Sequence, residues 1–132
     1  MIDFELYSPA VLEHYERPRN VGALDPEAPG VGTGLVGSPQ AGDVVKLQIR
    51  VDAEDRIVET RFKTYGCAAA IAAGSWLSER IEGLTLDEAE ALDSREIAEA
   101  LALPAVKMHC SVLVEDALRA AVADCRRRRA GA

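Results

Sequence analysis

Asp43-Val44-Val45-Lys46-Leu47-Gln48-Ile49-Arg50-Val51-Asp52 and Ile57-Val58-Glu59-Thr60-Arg61-Phe62-Lys63-Thr64-Tyr65, separated by Ala53-Glu54-Asp55-Arg56, form the stretch that decides the fold. In the first run Val45, Leu47, Ile49 and Val51 alternate with Lys46, Gln48, Arg50 and Asp52. That period of two is what a half-buried strand requires. After the polar turn the alternation resumes, with Val58, Thr60, Phe62 and Thr64 opposite Glu59, Arg61 and Lys63. Two such runs joined by so short a turn predict an antiparallel hairpin with one face on the core. Gly66 ends it, and Cys67 stands at the junction with an alanine-rich helical segment.

Upstream, Ser8-Pro9 is a helix start, a hydroxyl cap followed by proline at the first helical position. Val11, Leu12 and Tyr15 share one face of that helix, His14 falls within its pattern, and Pro18 ends it. From Arg17 to Gln40 proline and glycine recur so often that the segment reads as irregular, with a short strand at Thr33 to Val36, wrapping the domain. Downstream the period becomes helical. Cys67 to Glu82 is rich in alanine, with Ile71, Trp76, Leu77 and Ile81 as packing groups and Gly83 as a C-terminal cap. Thr85-Leu86-Asp87-Glu88 and Asp93-Ser94-Arg95-Glu96 have the spacing of capping boxes and start two short helices. Leu103-Pro104 interrupts the pattern, and a last helix runs from about Ser111 to Arg128 with Val114, Leu118, Ala121 and Val122 on one side. The fold class is therefore α+β: a small antiparallel sheet of about three strands packed by helices on one face. Residues 1–132 are expected to form a single domain.

With 15 Lys+Arg against 22 Asp+Glu, the net charge of −7 argues against an extended nucleic-acid or anionic-membrane surface, which needs clustered cations. The basic run Arg126-Arg127-Arg128-Arg129 is expected to be a solvated helix end. No apolar stretch has the length of a membrane span, and Met1 to His14 has no signal-peptide pattern. Three cysteines, an odd number, point to a reducing cytoplasm and to thiols kept for chemistry or packing.

Asp43, Cys67, His109 and Cys110 stand at element boundaries, where chain curvature is expected to expose a side chain. Thiolate, imidazole and carboxylate are ligands of zinc and iron, and four of them make a tetrahedral set. A cysteine at a helix N-terminus also has its thiolate favoured by free N–H groups. Spacing by itself matches no compact metal motif, and plain readings stand beside the chemical one: a buried small Cys67, a turn carboxylate at Asp43, a helix-start His109.

Longer motifs carry a resemblance. Glu16-Arg17-Pro18-Arg19-Asn20-Val21-Gly22, Gly37-Ser38-Pro39-Gln40-Ala41-Gly42-Asp43, Phe62-Lys63-Thr64-Tyr65-Gly66-Cys67, Leu103-Pro104-Ala105-Val106-Lys107-Met108-His109-Cys110-Ser111 and Glu115-Asp116-Ala117 occur in the order and spacing of the IscU-type iron–sulfur cluster assembly scaffolds. These are also similar to the N-terminal domain of NifU proteins, and the likeness runs from about Tyr7 to Asp124. The resemblance implies a scaffold, not an enzyme. Such a protein takes persulfide sulfur from a cysteine desulfurase, combines it with iron into a transient [2Fe–2S] cluster, and passes the cluster to acceptor proteins. It implies Asp43, Cys67, His109 and Cys110 as ligands of the cluster, or of Fe2+ or Zn2+ without it, with Cys110 as persulfide acceptor. It implies Lys107 near the ligands, and Leu103, Pro104, Ala105, Val106 and Lys107 as the segment read by an Hsp70-type chaperone with its J-type co-chaperone. It further implies a monomer without cluster and association of chains with it.

The departures are specific. Ala41 occupies the place of the family's first cysteine, and Ala105 that of a second proline. A methyl group binds no iron, so the four remaining groups must suffice, with mixed ligation as where His replaces Cys on one iron. Cys125 is no substitute, because it lies about fifteen residues, about 22 Å, along the helix from Cys110; it is expected to be a surface or packing cysteine. Ala41 is either native or the result of a thiol removal. An assembly-defective variant and a zinc-bound sulfur-transfer protein of the SufU group are the alternatives. That group carries an insertion before its last cysteine and lacks the adjacent histidine, whereas this chain has His109.

Overall fold

The computed structural model describes residues 6–38, 40 and 42–131. Helix α1 (Pro9–Glu16) precedes strands β1 (Val31–Ser38), β2 (Asp43–Val51) and β3 (Ile57–Tyr65); helices α2 (Ala68–Ile81), α3 (Leu86–Glu90), α4 (Ser94–Leu101) and α5 (Met108–Ala130) come after the sheet. The strands form one antiparallel sheet in the order β1-β2-β3. Val45, Leu47, Ile49 and Val51 are buried as the alternation requires, in one cluster with Phe62, Leu77, Ile97, Leu101, Val114 and Leu118.

The first strand is longer than its sequence suggests. β1 pairs with β2 along its whole length, from Val31 opposite Arg50 to Ser38 opposite Asp43. Its glycines, poor strand formers in isolation, are there for α5. A Cβ on Gly34 would overlap the Ala117 carbonyl oxygen, and one on Gly32 would overlap the Ala121 carbonyl and the Cys125 sulfur. The backbone of α5 thus lies directly on β1. Alanine does the same for α2, where Ala69, Ala70, Ala72 and Ala73 are all fully buried and Gly74 touches the Phe62 ring. Small side chains over most of its length let α2 sit close against the sheet.

The irregular segment does wrap the sheet. Gly22 donates to the Phe62 carbonyl and Phe62 to the Asn20 carbonyl, covering the free edge of β3. Leu24 N–H then donates to Gln48 Oε1 at 2.8 Å, and Gln48 Nε2 donates to Thr33 Oγ1 at 3.1 Å. Gln48, on the polar side of the alternation, is consequently buried with its hydrogen bonds made.

The caps form as the spacing predicts, with one exception. Ser8 Oγ accepts from Val11 N–H, and Thr85 and Glu88 make the full reciprocal box. Asp93 caps α4, but the Glu96 carboxylate turns to Arg80 at 2.9 Å instead of closing a box. α5 begins at Met108, three residues before the expected start, because a 3-10 turn at Ala105–Lys107 feeds into it.

The arginine run is the solvated helix end expected, with Arg126, Arg127 and Arg129 exposed, but its guanidinium groups are engaged. Arg126 reaches Glu90 at 2.8 Å and Asp87, Arg127 pairs with Asp124, Arg128 donates to the Pro26 and Val31 carbonyls, and Arg129 holds Asp55 and the Asp52 carbonyl. Each pair is partly exposed and worth less than about 1 kcal/mol. Together they tie the end of α5 to α3, to the segment leading into β1 and to the β2–β3 turn, which sequence distance keeps apart. Cys125 packs against β1 near the Gly30 carbonyl, where burial pushes its thiol up to about 11.

Gly34→Ala tests the close approach. Overpacking of this kind costs about 1–3 kcal/mol against about 0.5–1 kcal/mol gained from the stiffer unfolded chain. A net loss of roughly 1 kcal/mol in urea unfolding is expected; undiminished stability would mean that α5 does not lie on the strand backbone.

Candidate functional site

Three separate elements bring the four expected residues together. Asp43 is the first residue of β2, Cys67 is the N-cap of α2 just after β3, and His109 and Cys110 lie in the first turn of α5. One Asp43 oxygen accepts from the Cys67 backbone N–H at 3.3 Å, and the other lies 3.4 Å from His109 Nε2. His109 Nε2 is 3.6 Å from Cys110 Sγ, and Cys110 Sγ is 3.5 Å from Cys67 Sγ. Gly66 makes room for this, since a Cβ there would overlap Asp43 Oδ1. Among the described residues no three such side chains close on one point as a finished metal cage; the four are linked as neighbours instead. Two sulfurs, one imidazole and one carboxylate are nevertheless a donor set that zinc and iron accept. Ala41 lies outside the described residues.

The two thiols differ from the sequence expectation. Cys110, expected to be exposed, is fully buried, because α5 starts early enough to turn it into the core; Cys67 is only half-buried. Hydrogen bonding from the Cys110 thiol, with smaller help from the Ala70 N–H and Lys107, holds Cys67 down to about 5. The same bond and burial push Cys110 far up. The pair therefore shares one proton, and Cys67 carries the negative charge. Lys107 answers it: the Cys67 thiolate is the main reason its own pKa rises.

Tyr7 is the residue that sequence reasoning missed. Its phenol interacts with Lys107 and with both thiols, although burial chiefly sets its raised pKa. Nothing local marks it, since it lies far from the other members along the chain. Beside Asp43 and His109 a concavity of about 350 Å3 opens between Gly37 and the Val112, Leu113 and Asp116 side of α5. Val112, which lines it, is an exposed apolar side chain, as are Tyr65, two residues before Cys67, and Met108, next to His109. The Leu103–Lys107 segment is not a displayed extended peptide. Leu103 is buried and 105–107 is helical, leaving Ala105 and Val106 as the exposed members.

A small α+β domain with thiols, imidazole and carboxylate gathered at one end of its sheet is a sulfur- and metal-handling class of protein. The family pattern described as NifU-like N terminal domain matches residues 6–132. The chain belongs to this family. It is 57% identical over 118 residues, 89% of this chain and 92% of the relative, to a protein of Azotobacter vinelandii named iron-sulfur cluster assembly scaffold protein IscU. It is 54% identical over 123 residues, 93% of this chain and 96% of the relative, to the protein of the same name in Escherichia coli K12. Among solved structures, a putative iron-sulfur cluster assembly scaffold protein for the SUF system from Fervidobacterium islandicum superposes with a TM-score of 0.69 at 21% identity, over 92% of this chain and 99% of that one. At that identity the likeness is one of fold.

The shared proton has a pH signature. Cys67 is held down to about 5 in the fold, against 9.0 for an ordinary thiol, so between these values the unfolded chain holds more protons. Folding stability from this pair therefore rises with pH from about 5 to 9 and is lost as pH falls through 5. Cys110→Ala removes the main cause of the low pKa. The slope of unfolding free energy against pH should flatten in that variant, and an unchanged slope would contradict the shared proton.

Proposed function

We propose that this chain is a scaffold on which iron–sulfur clusters are assembled before transfer to acceptor proteins, with Asp43, Cys67, His109 and Cys110 as the ligand set. The observation that carries the reading is the meeting of two sulfurs, an imidazole and a carboxylate through the linked contacts of 3.3 to 3.6 Å. Relatives more than half identical that bear the scaffold name support it. The cargo is a [2Fe–2S] cluster, and Fe2+ or Zn2+ occupies the same donors in its absence. A hard carboxylate is a weaker partner for iron–sulfur chemistry than a thiolate, and one thiol fewer makes the hold weaker still. For a protein that gives its cluster away, a loose hold is useful.

Sulfane sulfur arrives from a cysteine desulfurase on the Cys67–Cys110 pair. Cys110, the acceptor implied by resemblance, is reached only if the first turn of α5 opens, so first contact falls to the half-buried Cys67. Thiolate rather than thiol is the attacking form, and Cys67 is already ionised at neutral pH. Lys107 keeps that charge close to the site. Tyr65, Met108 and Val112 supply apolar area for docking of donor and acceptor proteins. Recognition of Leu103–Lys107 by an Hsp70-type chaperone and its J-type co-chaperone requires the segment to leave its place, since Leu103 is buried. Association of chains accompanies cluster binding. A reducing cytoplasm suits the three free thiols, and among the described residues no helix is long and apolar enough to cross a membrane.

The zinc-bound sulfur-transfer reading has less support, because His109 stands beside Cys110 and no insertion precedes it. Anaerobic reconstitution with iron, cysteine and a desulfurase separates the two. Iron and acid-labile sulfide in equal amounts with visible charge-transfer bands are expected; retention of zinc alone would overturn the scaffold reading. Beside it, Asp43→Ala removes both an oxygen donor and the partner of His109. Zn2+ affinity should fall by about 10- to 100-fold, and an unchanged competition titration with a chelator would remove Asp43 from the ligand set.

A further inference from the structure

Two sulfurs are in contact at the site. Cys67 Sγ and Cys110 Sγ are 3.5 Å apart, held by two different helices, and Cys125 lies at the other end of α5. Separations of about 3–3.5 Å with fixed partners are those of reacting atoms before bond formation. With alanine at position 41, the loop before β2 offers no competing thiol.

We infer that Cys67 and Cys110 act as a dithiol reductant, converting the sulfane sulfur of a persulfide on either residue to sulfide while the two cysteines become a disulfide. The inference rests on the acceptor role proposed above and adds the source of the first two electrons. A persulfide Cys–Sγ–SH on one residue is attacked at Sγ by the thiol of the other. The Sγ–Sγ bond forms and the Sγ–SH bond breaks. The outer sulfur takes both electrons of the broken bond and, with the proton of the attacking thiol, leaves as hydrogen sulfide. Two cysteine sulfurs are oxidised and one sulfane sulfur is reduced, so no external oxidant or reductant enters this step. A dithiol reductant resets the protein afterwards.

The surroundings suit the step. Cys110 is buried, which keeps bulk thiols away from the attacking pair, and Cys67 opens toward solvent. His109 Nε2, 3.6 Å from Cys110 Sγ, is a partner for the moving proton. The sulfide departs beside the concavity that Asp43 and His109 line, where the proposed metal donors stand. Sulfide is thus released at the place where iron is to be met.

The test uses the full chain, metal-free and anaerobic, with one equivalent of cysteine fully consumed by a cysteine desulfurase as the sulfane sulfur source, and no other thiol. Intact mass, peptide mapping after alkylation and sulfide trapping with a bimane are the readouts. Wild type should lose two hydrogens, show linked Cys67 and Cys110 peptides, and release one sulfide per chain. Cys67→Ser and Cys110→Ser should each lower sulfide release by about tenfold or more, with the extra sulfur atom retained on the surviving acceptor. Cys125→Ser should behave as wild type. Wild type that keeps the added sulfur without forming the disulfide overturns the inference and leaves the acceptor role standing, as does undiminished sulfide release from either serine variant. If no form takes up sulfur, the acceptor role and the inference fall together. The wild-type result decides the matter even if a variant folds poorly.

Discussion

The direct contact of the α5 backbone with β1 is the constraint on which the rest of this structure depends. Two glycines, Gly32 and Gly34, bring a 23-residue helix closer to a strand than any side chain would permit. That contact sets the height and rotation of α5 against the sheet. His109 and Cys110 at its first turn then arrive next to Asp43, which begins the neighbouring strand, and next to Cys67, which comes just after the third. A helix lifted by one methyl group would carry imidazole and thiol away from carboxylate and thiol together. Close packing of interiors turns such a small change into a displacement of whole elements.

The second organising feature is electrical. A half-buried thiolate at Cys67 is tolerable because three groups answer its charge: the Cys110 thiol, the Ala70 N–H and the Lys107 ammonium. Asp43 opposes them, yet it is itself held by the Cys67 N–H and His109. An arriving cation therefore competes with a proton and a lysine for the same sulfur. Loose retention results from that competition as much as from the hard carboxylate.

Much of this structure is legible in the sequence, and the exceptions have a common cause. The hairpin, the caps at Ser8, Thr85 and Asp93, the alanine helix and the family motifs are local patterns, readable over a few residues. β1 is longer than its local pattern predicts because its glycines answer a helix about ninety residues downstream, not a local preference. The arginine run is a solvated end, but its partners Glu90, Pro26 and Asp55 are not legible locally, because each is remote along the chain. Leu103-Pro104 reads as an interruption of the helical pattern, yet Ala105 to Lys107 coils to start α5.

The chain by itself determined the α+β class, the hairpin, the helix starts and the set of donor side chains, since period, capping chemistry and residue type are properties of short stretches. The tertiary structure alone decided which thiol is buried and which is ionised, how far apart the sulfurs stand, and that Tyr7 joins them. Burial, proton sharing and distance depend on what lies across the core, and no local pattern carries that information.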